Sequence, residues 1–254
     1  MRLNRYLATC GIASRRSAEA MIVGGRVLIN GKKITDLATT VSPERDVVLV
    51  DGKKVEPIRK MVYVLLYKPK GYITTANDEL GRKNVLELVK LKERIFPIGR
   101  LDRNSEGLLL LTNDGDMAFR LMHPRFKVDK TYRVRLETPF REQDFEAFSN
   151  GIELEDGITS PCKAGYLSDS PNLIEIRLHE GRNHQVRRML NALGYEVAAL
   201  KRVQYGPLTL KGLARSEWRM LTQFEVMQLR KAVGLVKTEE RQRKRGPQKN
   251  HHRD

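Results

Sequence analysis

Along the first sixty positions, apolar residues recur first at helical and then at strand spacing. Leu3 and Leu7 lie four apart, and Ala18, Met21 and Ile22 share one face of a second helix that Ser14 caps and Gly24-Gly25 ends. Short strand segments follow at 27–29, 32–34, 47–50 and 53–55, interrupted by Asn30-Gly31 and Asp51-Gly52. Those dipeptides favour tight hairpin turns, so two helices leading into a small antiparallel sheet are predicted. Pro57, set among charged residues, marks a linker after this unit, which spans 1–60.

From Val62 the pattern lengthens. Strands are predicted at 63–67, 108–111, 132–136, 173–178 and 197–200, alternating with helices at 116–122, 142–148 and 184–193. This is an α+β pattern with a mixed, mainly antiparallel sheet over 61–236. Residues 237–254 show no apolar periodicity and combine charge with Gly246-Pro247, so a disordered basic tail is expected.

Charge narrows the partner. Lys and Arg number 47 against 31 Asp and Glu, a net +16, divided as +6, +6 and +4 over the three segments. A polyanion is the natural counterpart of such an excess. No apolar run reaches the length of a membrane-spanning helix and no secretory signal opens the chain, so a cytoplasmic protein is expected, without a membrane partner and monomeric. Cys10 and Cys162 stand far apart without metal-ligand spacing and are expected to be reduced and mostly buried, and no metal site is expected. His251-His252 is an isolated pair in the tail. Glycine-rich phosphate loops are absent, so no cofactor is expected and chemistry must come from side chains.

Two segments carry that chemistry. Asp102 lies in a loop between apolar stretches, flanked by Arg100 and Arg103, and adjacent cations favour an ionised carboxylate suited to a nucleophile or general base. A structural aspartate pairing with arginine is the alternative at this point. Residues 180–194 read as a helix capped by Asn183, with a buried stripe at Val186, Met189, Leu190 and Leu193 and a stop at Gly194. Arg187 flanks the stripe and is the expected partner of a buried carboxylate, while His184 and Arg188 share the outer face and suit phosphates. In the first unit, Arg15 and Arg16 open a helix and Lys32 and Lys33 follow a turn, a basic surface for a nucleic-acid backbone.

The run LNRYLATCGIASRRSAEAMIVGGRVLINGKK resembles the small S-four-like RNA-binding domain, or αL motif. GRLDRNSEGLLLLTNDG, HPRFKVDKTYRVRL and EGRNHQVRRMLNALGYEV, in this order, resemble the pseudouridine synthases, in particular the bacterial ribosomal-RNA group that joins both domains. The resemblance implies isomerisation of a flipped-out uridine in ribosomal RNA, of the large subunit first and the small subunit second. It implies Asp102 as nucleophile or base, Tyr132 stacking on uracil, Arg187 paired with Asp102 and Leu200 as an apolar wall. RNA contacts are expected from Arg100, Arg103, Arg182, His184 and Arg188 beside the site, and from Arg15, Arg16, Lys32 and Lys33. A non-catalytic ribosome-assembly protein is the rival, and an RNA nuclease is disfavoured because neither clustered carboxylates nor paired site histidines occur.

Overall fold

The computed structural model describes residues 1–75, 78 and 80–236, so the tail at 237–254 and the pair His251-His252 lie outside the described residues. The chain divides into two compact units. One comprises Met1–Tyr63 with Leu91–Phe96 and Thr112–Gly115, and the other holds the rest.

In the first unit, α1 (Leu3–Thr9) and α2 (Arg15–Val23) precede β1 (Val27–Ile29), β2 (Lys32–Ile34), β3 (Val48–Val50) and β4 (Lys53–Lys54). Ser14 caps α2 by accepting from the Ser17 amide at 3.0 Å, which satisfies one of the donors a helix start leaves open. The strands order β2-β1-β3-β4, antiparallel throughout. Both two-residue turns are left-handed at each position: Asn30 and Gly31 have φ of 49° and 80°, Asp51 and Gly52 of 48° and 78°. This backbone matches the twist of the paired strands, which explains the residues found there. Leu3, Tyr6, Leu7, Ala18, Ile22, Val27, Val48 and Val50 form the core, with Met21 packed at its edge.

The second unit is built on a nine-stranded sheet. Its elements are β5 (Tyr63–Lys68), β6 (Phe96–Ile98), β7 (Glu106–Thr112), α3 (Gly115–Met122), β8 (Lys130–Leu136), α4 (Phe145–Asn150), β9 (Lys163–Tyr166), β10 (Leu173–Leu178), α5 (Gln185–Ala192), β11 (Val197–Tyr205), β12 (Leu208–Thr209), β13 (Trp218–Met220) and α6 (Gln223–Ala232). The main path runs β13-β5-β7-β11-β8-β10-β9, with β6 on β7 and β12 on β11. β7 and β11 run parallel, whereas β11-β8, β8-β10, β10-β9, β11-β12 and β5-β13 are antiparallel. The α+β class and the mixed, mainly antiparallel sheet are therefore as expected.

The centre of the sheet is apolar because β5 is buried at all six positions and Leu108 to Leu111 of β7 are buried together. The parallel contact requires glycine at 107: its φ is +120°, and a Cβ there would lie 2.2 Å from the Arg202 carbonyl oxygen. Several boundaries differ from expectation, β7 and β8 beginning two residues earlier among them. The helix expected at 142–148 begins as a 3-10 turn, Glu142–Asp144, before α4. β11 extends through the charged Lys201 and Arg202. The cap of α5 is His184, left-handed with φ 48°, rather than Asn183.

Candidate active site

Asp102 lies in the loop between β6 and β7, and that loop is held by its backbone. Lys68, at the end of β5 and fully buried, donates from Nζ to the carbonyls of Ser105 at 2.7 Å, Asp102 at 2.9 Å and Pro69 at 3.1 Å. Thr74 Oγ1 donates to the Leu101 carbonyl at 2.7 Å, and the Gly71 amide donates to the Arg103 carbonyl at 2.8 Å. Burial pulls the Lys68 ammonium down to about 8, with Asp102 opposing and Arg202 adding to the effect. A lysine closing an all-apolar strand is the signal that sequence reading passed over.

The Asp102 side chain faces a cavity of about 410 Å³. Its carboxylate is 3.4 Å from His184 Nε2 and accepts from Ser105 Oγ at 3.5 Å. Tyr132 and Leu200, both buried, line the same cavity with Leu178 and Val186, so an apolar, ring-bearing wall shares a space with the carboxylate. β8 and β11 bring them together, since Val134 pairs with Leu200 and Tyr132 with Arg202, and alternate residues of a strand share a face.

Two further buried cations line this cavity. Lys130 Nζ donates to the carbonyls of His179 at 2.8 Å, Val128 at 3.2 Å and Glu180 at 3.4 Å, and burial, then Arg202, draws it down to about 8. Arg202, 2% exposed, donates from Nε to the Leu108 carbonyl at 2.7 Å and lies 5.2 Å from the Tyr205 ring centroid. Their strands supplied no sequence signal beyond charge inside a β run.

Residues 180–184, leading into α5, form a tied loop. Gln185, buried, accepts from the Arg182 amide at 3.0 Å and donates to Glu180 at 2.7 Å, which folds the chain back and sets His184 left-handed beside Asp102. Glu180 is raised by burial, but Ser160, Gln185 and Arg182 outweigh this and keep it below the ordinary carboxylate value. Arg182 donates to the Gly157 and Ile158 carbonyls, each at 2.6 Å, and Arg188 pairs with Asp156 at 2.6 Å. Asp156 is thereby held at about 2, chiefly by Arg188.

Of the residues expected at the site, Asp102, Tyr132, Leu200, Arg100, Arg182 and His184 line the cavity, while Arg103, Arg187 and Arg188 do not. Arg187 is a correction: it makes no ion pair with Asp102, and its Nη1 donates to the Val197 carbonyl at 3.1 Å. The helix begins at Gln185 with Gln185 and Val186 inward, which turns Arg187 toward the start of β11. His184 is the second correction, since it faces the carboxylate instead of sharing an outer face with Arg188. Arg100 and Arg103 are exposed, and Arg103 Nε donates to the Gly71 carbonyl at 3.4 Å. Arg15, Arg16, Lys32 and Lys33 are exposed on the first unit. Cys10 and Cys162 are free thiols, half-buried instead of mostly buried, and burial raises each to about 11. Among the described residues, no three His, Cys, Asp or Glu side chains group as metal ligands, and no helix is long and apolar enough to cross a membrane.

Residues 62–192 match the RNA pseudouridylate synthase family and residues 1–47 the S4 domain. The chain is 46% identical over 234 residues to ribosomal large subunit pseudouridine synthase B of Bacillus subtilis, covering 90% of this chain and 95% of the relative. It is 37% identical over 235 residues to the dual-specificity RNA pseudouridine synthase RluF of Escherichia coli, covering 92% and 79%. A crystal structure of a pseudouridylate synthase aligns with a TM-score of 0.67 at 31% identity, over 90% of this chain and 99% of that one. With a matching family model over the second unit's motifs and relatives aligned along nearly the whole chain, this protein belongs to the RNA pseudouridine synthases, isomerases that here carry an N-terminal S4 domain.

Proposed function

We propose that this protein isomerises one or more uridines of ribosomal RNA, of the large subunit in the first place, with Asp102 as nucleophile or base. The observation that carries this reading is the Asp102 carboxylate facing Tyr132 and Leu200 inside one cavity. A uracil ring needs an aromatic or aliphatic face on each side, and the carboxylate must reach the ribose beside it. A uridine stacked in folded RNA cannot enter such a cavity, so the base is flipped out, at a cost of a few kcal/mol that backbone contacts offset.

The N1–C1′ bond breaks and its electron pair leaves with the ring. The ring turns over Tyr132, C5 bonds to C1′, and the C5 proton is lost while N1 is protonated. Asp102 either adds to C1′ and departs with the bonding pair as C5 arrives, or takes the 2′ proton and returns it to C2′ as C5 bonds to C1′. Arg187 acts indirectly by holding the Val197 carbonyl, at the start of the strand that bears Leu200. Arg100 and Arg103 hold the extruded backbone at the site, and residues 1–60, with Arg15, Arg16, Lys32 and Lys33 exposed, anchor a separate RNA segment. Residues 61–236 carry the chemistry and 237–254 add +4 of charge. The likeness to a large-subunit synthase of Bacillus subtilis supports the choice of target. Mapping pseudouridines in ribosomal RNA from cells with and without the gene tests activity and target together: a modified uridine lost from large-subunit RNA is expected, and an unchanged map overturns the reading.

A further inference from the structure

Arg202 is 2% exposed, lines the cavity, and its Nη2 has no hydrogen-bond partner. Buried donors are almost always paired, so an orphan nitrogen of a guanidinium is a place where an acceptor is missing. The other buried cations have no such vacancy, because the Lys68 and Lys130 ammoniums each donate to three carbonyls. Arg202 is also the cross-strand partner of Tyr132, so the two side chains leave the sheet side by side on the face that lines the cavity.

We propose that Arg202 is a catalytic residue that contacts the base, its guanidinium turning so that Nη2, closed off from solvent as it stands, donates to a carbonyl oxygen of the uracil. The inference rests on the function proposed above. When N1–C1′ breaks, the electron pair is shared between N1, O2 and O4 of the detached ring, and this holds whether Asp102 bonds to C1′ or removes the 2′ proton. A fixed buried donor is worth most where charge develops. The charge disappears when C5 bonds to C1′, the C5 proton leaves and N1 is protonated, so the donor favours the detached ring over substrate and product alike. A phosphate fits the place less well, because Leu178, Val186 and Leu200 surround it with apolar surface and the mouth already offers the exposed Arg100.

Arg202→Met and Arg202→Lys test this on ribosomal RNA from gene-deleted cells and on a matching transcript carrying 4-thiouridine. Arg202→Met strands the Leu108 carbonyl but removes a buried cation near Lys68 and Lys130, and the two effects oppose each other in stability. The expected result is a Met variant that melts within about 3 °C of the parent or above it, binds RNA within about threefold, and turns over at least about 100-fold more slowly in a single turnover. The Lys variant, keeping the charge without the reach, falls between. Thiouracil is the more stable anion, so the Met defect should shrink about tenfold or more on the 4-thiouridine transcript. An equal defect on both RNAs, or loss of folding or RNA affinity in the Met variant, would make Arg202 structural and overturn the proposal. A parent protein that forms no pseudouridine in either RNA would instead overturn the functional reading, and this proposal with it.

Discussion

Lys68 Nζ donates to the carbonyl oxygen of Asp102 at 2.9 Å, so the residue that holds this loop grips the Asp102 backbone and not its carboxylate, which meets His184 and Ser105 instead. Support and chemistry are thus separated within a single amino acid: the main chain of Asp102 is fixed from behind while its side chain, 30% exposed, faces the cavity.

Replacing Asp102 by Asn keeps shape and removes charge. Isomerisation should fall by at least about 1,000-fold while RNA affinity stays within about threefold, because the exposed cations that meet phosphate are untouched. Single-turnover assays and filter binding on the same RNA check it, and a variant retaining a few per cent of the parent rate would remove Asp102 from its role.

Lys68→Met leaves three carbonyls without their common donor. A loss of about 2–4 kcal/mol in urea denaturation is expected, the cost of stranded acceptors being reduced by no longer burying a charge. Catalysis should suffer more than binding, since the disturbed loop is the one that aims Asp102.

The same lysine predicts opposite pH trends for stability and rate. Lys68 and Lys130 titrate near 8 in the fold against an ordinary 10.5. Between those values the unfolded chain binds more protons than the folded one, so the contribution of these groups to stability rises with pH. Deprotonation, however, leaves two N–H groups for three carbonyls, and the loop loosens. Turnover should therefore decline above about pH 8 while the melting temperature gains from these two groups, and coincident decline of both would count against this account.

Asp156 pairs with Arg188 at 2.6 Å, whereas Arg182 is held chiefly by the Gly157 and Ile158 carbonyls. Asp156→Asn frees Arg188 and removes one acidic charge, so RNA binding at low salt should tighten about two- to fivefold with a steeper dependence on salt. An unchanged slope would mean that Arg188 does not reach RNA once freed.

The tail offers a parallel test by composition alone. Residues 237–254 hold seven basic and three acidic side chains. Ending the chain at Val236 should weaken RNA binding at low salt, flatten the salt dependence, and leave the modified uridine unchanged. A changed site would mean that the tail reads sequence.

Much of this was legible in the sequence where a local rule decides. Asn30-Gly31 and Asp51-Gly52 name their turns, Ser14 names its cap, and the all-apolar runs at 63–67 and 108–111 name the centre of the sheet. Asp102, Tyr132 and Leu200 came from motifs, and the fold brings them to one cavity. What escaped was set by tertiary hydrogen bonding. Helical periodicity places Arg187 toward the cleft, but Gln185 bends the preceding loop through Arg182 and Glu180 and so turns His184 to the carboxylate. Lys68, Lys130 and Arg202 were invisible for a related reason, since a charge within a strand reads as solvent-facing until the carbonyls that receive it are known.

Gly107 gives the cavity a fixed gauge. With a prospective Cβ only 2.2 Å from the Arg202 carbonyl oxygen, β7 and β11 touch where one carbon atom is missing. One wall follows directly from β7 through the Asp102 loop, and the other rides on β11 with Leu200 and Arg202. Even alanine at 107 would drive a wedge between the two walls, so the span from the Asp102 carboxylate to Leu200 is calibrated by a residue that lines neither wall.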